Sequence, residues 1–349
     1  HNFQNVSKPN WHPDAYGEKL LQDKIDSIKS EMSKKPYDVA IGLSGGLDSS
    51  YLAYVAKTKL NLRMLAVHVD GGWNSELSIK NIENIVRKLD IDLHTYVVDW
   101  EEMKDLQRSF ILANLANQDV PQDHAFFAAL YKHAQNFGLR HVLSGGNIST
   151  EATLPSEWAY NAMDLRHLEG VHKVFGEKKL KTFPKVGFFR YYFWNRYIKR
   201  MKVLRPLNFL PYNRLEAIRV LEEELDFKYY GGKHFESRFT KWQQLYWRPE
   251  KFGFDSRRIH LSSLIYSSQI TREEALLELE NDTKSQQEAK AETPYILKKL
   301  SISEEEFNEV MQNPVKTYRD YPSNARFFNL KNNLKKVLEN KGINLRPNS

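Results

Sequence analysis

Apolar residues at Leu20, Leu21, Ile25, Ile28 and Met32 fall on one face of a 3.6-residue period, so residues 17–33 predict an amphipathic helix. Pro36 ends it. Residues 37–43 form a short, nearly continuous apolar run of the kind a buried strand uses. Helical spacing returns at 49–60, a second strand rich in branched apolar residues follows at 62–69, and 78–89 is helical again. Residues 93–98 predict a third strand, 124–137 another helix, and His141-Val142-Leu143 a fourth strand. Strands alternating with helices in this way predict an α/β fold, a doubly wound parallel sheet with helices on both faces.

The alternation fades from about residue 153. Residues 175–205 are dense in Lys, Arg and aromatics, including Phe188, Phe189, Tyr191, Tyr192, Phe193 and Trp194. Residues 212–225 and 271–279 have helical spacing, and 283–291 is polar and expected to be an exposed connection. Ser303-Glu304-Glu305-Glu306 ahead of Phe307 and Val310 is a capping-box pattern that starts another helix. The expected division is therefore a sheet domain over 1–155 and a mostly helical, substrate-binding region over 156–349. Ligands of open parallel sheets sit at the carboxyl ends of the strands. The Gly-rich turns after Leu43, Val69 and Leu143 all fall at such ends.

Composition narrows the chemistry. The 349 residues contain no cysteine, which removes disulfides, thiolate metal sites and the thiol nucleophile a glutaminase would use. An apolar fraction of 41% with 13% aromatics supports a sizeable core. No apolar run is long enough to span a bilayer, and no secretory signal opens the chain, so a cytoplasmic location is expected. The chain begins at His1 rather than Met, and a preceding segment is expected. A net charge of +7 suits an anionic substrate such as a nucleotide-sugar, a nucleic acid or an acidic membrane surface, and does not choose among them.

Ser44-Gly45-Gly46-Leu47-Asp48-Ser49-Ser50 lies between a predicted buried strand and an amphipathic helix. Two glycines allow a sharp turn that brings backbone N–H groups close to a ligand. The helix then aims its unpaired N–H groups and positive dipole end at the same place. Ser44, Ser49 and Ser50 add hydroxyls, and the set suits a pyrophosphate. The Gly-Lys-Ser/Thr ending of a Walker A motif is absent, which argues against γ-phosphoryl transfer. A carboxylate among phosphate donors would be repulsive alone, so Asp48 is expected to meet phosphate through Mg²⁺.

This segment resembles the signature loop of the ATP-pyrophosphatase (PP-loop) superfamily, which includes GMP, NAD and asparagine synthetases and several tRNA-modifying enzymes. The resemblance implies cleavage of ATP between its α- and β-phosphates and adenylylation of a substrate oxygen. It further implies that His68, Val69 and Asp70 flank the adenosine and that Gly145, Gly146 and Asn147 close the nucleotide pocket. A plain turn at 145–147 is an equal alternative.

The second half resembles one branch more specifically. Tyr230-Gly231-Gly232-Lys233-His234-Phe235-Glu236-Ser237 and Lys251-Phe252-Gly253-Phe254-Asp255-Ser256-Arg257-Arg258 are similar to stretches of the N-acetyl sugar amidotransferases of lipopolysaccharide O-antigen biosynthesis. So are Asn10-Trp11-His12-Pro13 and Pro121-Gln122-Asp123. The resemblance implies conversion of an acetamido group of a nucleotide-activated sugar to an acetamidino group, using ATP, Mg²⁺ and ammonia. In that reading Lys233 offsets phosphate charge, and His234 or Glu236 moves protons or binds sugar hydroxyls. Asp123, Glu151, Trp158 and Arg238 are further substrate candidates. Ammonia would come from a separate glutaminase and its cyclase-like companion, because this chain lacks the cysteine. Members of the family usually begin with a short cysteine-bearing segment that looks like a metal site, and this chain has none.

Two rivals remain. A lysidine-synthetase-like tRNA modifier would use the same loop and the basic aromatic stretch from Lys178 to Lys202, although nucleic acid is the less expected partner. A catalytically silent scaffold would set that stretch on a membrane surface as a peripheral contact.

Overall fold

The computed structural model describes residues 3, 7–152, 160–328 and 330. The chain opens on helix α1 (Ala15–Glu31), whose N-cap Asp14 accepts from the Gly17 N–H at 2.9 Å. Strand β1 (Val39–Gly42), helix α2 (Leu47–Thr58), β2 (Met64–Asp70), α3 (Glu76–Leu89) and β3 (Asp92–Val97) follow in strict alternation. Helices α4 (Trp100–Leu112) and α5 (Val120–Asn136) lead to β4 (His141–Leu143), the short helix α6 (Ile148–Glu151) and α7 (Leu165–Phe175). A π-helix (Arg190–Ile198) precedes β5 (Lys202–Leu204) and α8 (Arg214–Leu225).

All five strands pair in parallel, in the order β3-β2-β1-β4-β5. The order reverses between β1 and β4, so the chain winds one way through α2 and α3 and returns over the other face through α4 and α5. Helix α5 packs on β1 and β2, while α2, α3 and α8 pack against one another. The contact is close: a Cβ on Gly42 would stand 2.3 Å from the Phe126 ring of α5. Val39, Ala40 and Ile41 of the central strand are fully buried. Edge strand β3 instead alternates, with Leu93 and Val97 exposed.

Three elements depart from the sequence reading. Helix α4 lies in a stretch assigned to nothing, although Asp99 caps it by accepting from the Glu102 N–H at 3.0 Å. Strand β5 is hidden within the basic aromatic stretch, since three residues are too few to show a period, and it brings the sheet's last strand from beyond residue 155. Residues 283–291, read as a connection, form a helix with Ala289 fully buried, because Lys, Gln, Glu and Ala are good helix formers even without an apolar stripe.

The remaining elements are α9 (Arg238–Trp242), a π-helix (Gln243–Phe252), α10 (Ser256–Tyr266), α11 (Arg272–Asn281), α12 (Thr283–Ala291), α13 (Thr293–Leu300) and α14 (Glu304–Gln312). The mostly helical second half docks on the sheet through its own core of Phe239, Trp242, Trp247, Ile296, Leu300 and Phe307, which closes around Trp73 and Ile111. Trp73, just beyond β2, stacks on Phe239 with centroids 4.9 Å apart, and its indole N–H donates to Gln107 at 2.5 Å. Among the described residues no helix is long and apolar enough to cross a membrane.

Candidate functional site

The reversal of strand order opens a crevice at the carboxyl ends of β1 and β4, and the loops 44–46 and 144–147 both end there. Gly45 adopts φ +76°, and a Cβ there would lie 2.5 Å from the Ser78 carbonyl oxygen. Gly145 lies against the first turn of α2, where a Cβ would come within 3.0 Å of the Asp48 carbonyl carbon and the Ser49 nitrogen. Ser44 Oγ accepts from the Gly46 N–H at 3.2 Å and lies 3.1 Å from Ser49 Oγ. Ser50 is fully buried and donates to the Gly46 carbonyl at 2.7 Å, so it braces the loop instead of facing the crevice.

A second segment closes over this loop. The Ser75 N–H donates to the Glu236 carbonyl and the Arg238 N–H to the Trp73 carbonyl, each at 3.0 Å, with a bridge between Asn74 and Ser237. These bonds pin the backbone of 236–238 to the turn after β2, directly beside the loop. Glu236 Oε1 accepts from Ser44 Oγ at 3.3 Å, and a Cβ on Gly46 would lie 2.4 Å from it. Tyr230 Oη accepts the Leu47 N–H at 2.6 Å. Asp48 accepts from both Tyr212 Oη and Lys233 Nζ. Lys233 Nζ also reaches Thr150 Oγ1 at 2.9 Å and Glu151 Oε1 at 3.0 Å. His234, at φ +65°, places Nε2 3.5 Å from Glu151 Oε1 and Nδ1 3.9 Å from Glu236 Oε1.

The charges reinforce one another. Burial opposes the charge on Lys233, but Asp48 and Glu151 more than offset it and hold the amine above its ordinary range. Burial likewise opposes the imidazolium, yet the neighbouring carboxylates of Glu151 and Glu236 raise His234 to about 10. Glu151 is held far below the carboxylate range by Lys233 and His234 against the cost of its burial. His260, its ring 5.8 Å from that of His234, is driven down to about 3 by burial and by those two cations. The cleft thus carries one neutral and one protonated imidazole side by side at neutral pH.

Asp119 and Asp123 stand one turn apart at the start of α5. Asp119 Oδ1 accepts from Thr240 Oγ1 at 2.9 Å and Gln122 Nε2 at 3.0 Å. Asp123 is reached by solvent yet hemmed in by protein, and that enclosure, together with the Asp119 charge, pushes it up to about 7.

The structure therefore gathers Ser44, Gly45, Gly46, Asp48, Ser49, Gly145, Glu151, Lys233, His234 and Glu236 around one crevice. Other expected side chains are engaged elsewhere. His68 is buried, with Nδ1 2.8 Å from the Leu43 carbonyl and Nε2 3.0 Å from Asn74 Nδ2, so its ring ties the ends of β1 and β2 together. Asp70 Oδ1 accepts the Gly72 N–H at 2.7 Å, and Val69 packs into the core. Asn147 caps α6 through the Thr150 N–H at 3.0 Å, and Gly146 lies beside Glu151. Arg238 is bound to Glu292 and lies 3.8 Å from the Tyr295 ring centroid. Trp158 lies outside the described residues. Sequence reasoning missed Tyr212, Thr150, His260 and Asp119, and quoted Tyr230 in a stretch without giving it a role. Only Asp119 carried a signal, its four-residue spacing from Asp123 on one helix face.

Residues 20–183 match the family model for NAD synthase. Residues 236–335 match the model described as LPS biosynthesis protein WbpG-like, C-terminal domain. Similar solved structures include an NH3-dependent NAD synthetase from Campylobacter jejuni at 18% identity, covering 38% of this chain and 58% of that one, with a TM-score of 0.29. NMN synthetase from Francisella tularensis matches at 17% identity over 61% of this chain and 94% of its own, with a TM-score of 0.32. The U34-tRNA thiolase NcsA from Methanococcus maripaludis matches at 15% identity over 72% and 80%, with a TM-score of 0.35. The chain thus spans 58% of the length of the Campylobacter enzyme, and likenesses of this size say nothing of activity. No curated protein matches the sequence.

Proposed function

We propose, for a chain that joins a PP-loop region of the NAD synthase type to a WbpG-like C-terminal region of lipopolysaccharide biosynthesis, an AMP- and pyrophosphate-forming amidotransferase acting on a nucleotide-activated N-acetyl sugar. The observation that carries the reading is a single crevice built by both halves: the segment leading into the WbpG-like region lays Lys233, His234 and Glu236 over the 44–50 loop.

An amide is a poor electrophile, and ammonia does not displace its oxygen directly. Attack of the acetamido oxygen on the α-phosphate of ATP, here a co-substrate, forms an O-adenylyl imidate and releases pyrophosphate. Ammonia adds to the activated carbon and AMP departs with the former amide oxygen, leaving an amidine. The loop amides at Gly45 and Gly46 and the N-terminus of α2 are the groups here suited to charge on the departing pyrophosphate. Lys233 adds a fixed positive charge. His234, held protonated, acts as a hydrogen-bond donor and cation and not as a base.

Ammonium, or its adduct, must lose a proton near neutral pH, and Asp123, exposed at the start of α5 one turn from Asp119, is the carboxylate we propose to test in that role. The chain has no cysteine with which to release ammonia from glutamine, so a separate glutaminase with a cyclase-like companion is the proposed source.

Among the described residues no three acidic or histidine side chains converge as a metal cage. Mg²⁺ on a nucleotide needs only one or two carboxylates, the phosphates supplying the rest. Asp48 fits that part, and so does Glu236, whose Oε2 is buried without a hydrogen-bond partner beside the loop. These two would hold Mg²⁺, which neutralises phosphate charge when bound.

The test is AMP and pyrophosphate release from ATP, Mg²⁺ and ammonium chloride across a panel of UDP-N-acetyl sugars, with mass spectrometry of the sugar product. Sugar-dependent AMP formation, with an oxygen exchanged for NH in the product, is expected. Turnover with tRNA and with no sugar would overturn the reading in favour of nucleoside modification.

Asp123 gives a separate prediction. Folding raises its carboxyl, so its ionisation is disfavoured in the folded state. The resulting cost is absent below the ordinary carboxylate range, grows as pH rises toward about 7 and is constant above that. Asp123→Asn is expected to leave the melting temperature unchanged near about pH 4. At pH 8 it should raise it by on the order of 2 °C. Amidine formation should fall about 10²-fold while pyrophosphate release persists, and equal loss of both would remove Asp123 from the ammonia step.

A further inference from the structure

Residues 178–205 contain no Asp or Glu, and nine Lys or Arg fall between Lys178 and Lys202. The structure folds the centre of this stretch into the π-helix Arg190–Ile198, which runs straight into the edge strand β5. One side of the helix is anchored. Tyr191 meets Tyr131 at 5.6 Å between centroids, and Tyr192 meets Phe328 at 5.5 Å.

The other side is apolar and open. Phe189 is 62% exposed and Tyr197 58%, and Phe193, Trp194, Ile198 and Val203 are exposed beside them. Phe189 stacks on Phe193 at 4.9 Å and Phe193 meets Tyr197 at 5.3 Å, so the rings form a ladder along the surface of the described residues. Isolated exposed apolar residues are ordinary, whereas a contiguous set marks an interaction surface.

The charge around the ladder selects the partner. Among the described residues no ion pair engages Arg190, Arg196, Lys199 or Arg200. The flanking Lys185 and Lys202 reach only Glu169 and Glu31, carried by other elements. Aromatic rings of Trp, Tyr and Phe interleaved with cations suit the headgroup level of a bilayer, where the rings enter the acyl boundary and the cations meet lipid phosphates. Position is compatible as well. Lys202 pairs with His141 at the amino ends of the strands, and the crevice lies at their carboxyl ends, so contact here leaves the cleft clear.

We infer that the ridge formed by Phe189, Phe193, Trp194, Tyr197 and Ile198, with Arg196, Lys199 and Arg200 beside it, is a docking surface for an anionic lipid bilayer. The ridge joins the core through Tyr191, Tyr192 and the buried Asn195, whose Oδ1 accepts from Gln135 Nε2 at 3.1 Å, and its outer residues can be changed without touching the crevice.

The test is sedimentation of the full chain with vesicles of phosphatidylcholine alone and of phosphatidylcholine mixed with phosphatidylglycerol. Binding to the mixed vesicles is expected to exceed binding to the neutral ones by about tenfold and to weaken as salt is raised. Phe193→Ser with Tyr197→Ser should lower it by about tenfold, as should Arg196→Glu with Lys199→Glu, which removes the Arg196 contact on Tyr197 and keeps the ring-on-ring contacts of Phe189, Phe193 and Tyr197. AMP formation in solution should be unchanged in both. Absence of vesicle binding, equal binding to both vesicle types, or binding undiminished in either variant would overturn the proposal. So would self-association in sedimentation velocity that the aromatic variant abolishes, which would identify the occupant as a second copy of the chain.

Discussion

Replacing Lys233 with methionine is expected to lower AMP formation by about 10²- to 10³-fold, the loss found when one preorganised charge is removed from a developing anion. The ammonium sits between Asp48 and Glu151 and donates to Thr150 as well. Burial alone would depress its pKa, yet the two carboxylates more than reverse that, so it stays charged across the working pH range. Methionine keeps most of the volume and removes the charge. Asp48 and Glu151 then lose their nearest cation, with His234 as the neighbouring charged side chain. Breaking a buried pair from one side typically costs about 3–5 kcal/mol. Lys233→Met should therefore melt several degrees lower as well as lose activity.

The double variant Lys233→Met with Asp48→Asn isolates the stability effect, because Asp48 is itself one of the carboxylates placed toward Mg²⁺. It restores neutrality on that side of the cleft and is expected to recover much of the melting temperature and none of the AMP formation. A folded Lys233→Met protein with ordinary turnover would remove Lys233 from the reaction.

Gly45→Ala is expected to be the second severe change, acting through the backbone. At φ +76° an L side chain costs about 1–2 kcal/mol. Here the added Cβ also lies 2.5 Å from the Ser78 carbonyl oxygen and 3.1 Å from its carbonyl carbon. Ser78 is buried in the first turn of α3, and its N–H is held by the Ser75 side chain, so it cannot retreat cheaply. The loop must shift instead, and the N–H groups meant for pyrophosphate move with it. A displacement of this kind is expected to cost about 10²-fold in kcat/KM for ATP.

Gly46→Ala provides the comparison. Gly46 has an ordinary φ of −78°, and its added Cβ meets the end of the Glu236 side chain and, at 3.0 Å, Ser44 Oγ, both side-chain atoms that can rotate away. Its melting temperature should stay near that of the parent while its KM for ATP rises, because Glu236 is pushed from its place beside Ser44. Equal thermal destabilisation by the two substitutions would contradict the strain argument.

Comparison of the two halves shows where local rules stop. Leu47 and Asp48 belong to a motif seven residues long, and the structure sets both at the crevice beside the 44–46 loop. Their partners Tyr212 and Tyr230 lie 164 and 183 residues further along the chain. Tyr212 carries no mark in its own neighbourhood, and Tyr230 heads a singled-out stretch in which nothing points to its own hydroxyl. His68 and Arg238 show the converse error. Both have functional side-chain chemistry at suggestive places, and both are consumed by structural bonds, to Leu43 and Asn74 and to Glu292 and Tyr295.

The parallel sheet and the anion-binding loop were legible because they depend on short-range properties. A strand buried on both faces must be apolar throughout, a helix beside it must carry a 3.6-residue stripe, and a turn with positive φ favours glycine. Each constraint is met within about a dozen residues and leaves its pattern there. What turns that loop into a charged cleft is decided elsewhere. Trp73, Phe239, Trp242 and Trp247 stack the second half onto the first, and the backbone bonds at 73–75 and 236–238 then set Lys233, His234 and Glu236 above Asp48 and Glu151. Aromatic packing has no sequence period and ion pairs no fixed spacing. The charges meet because two cores interlock, and that information exists only once the chain has folded.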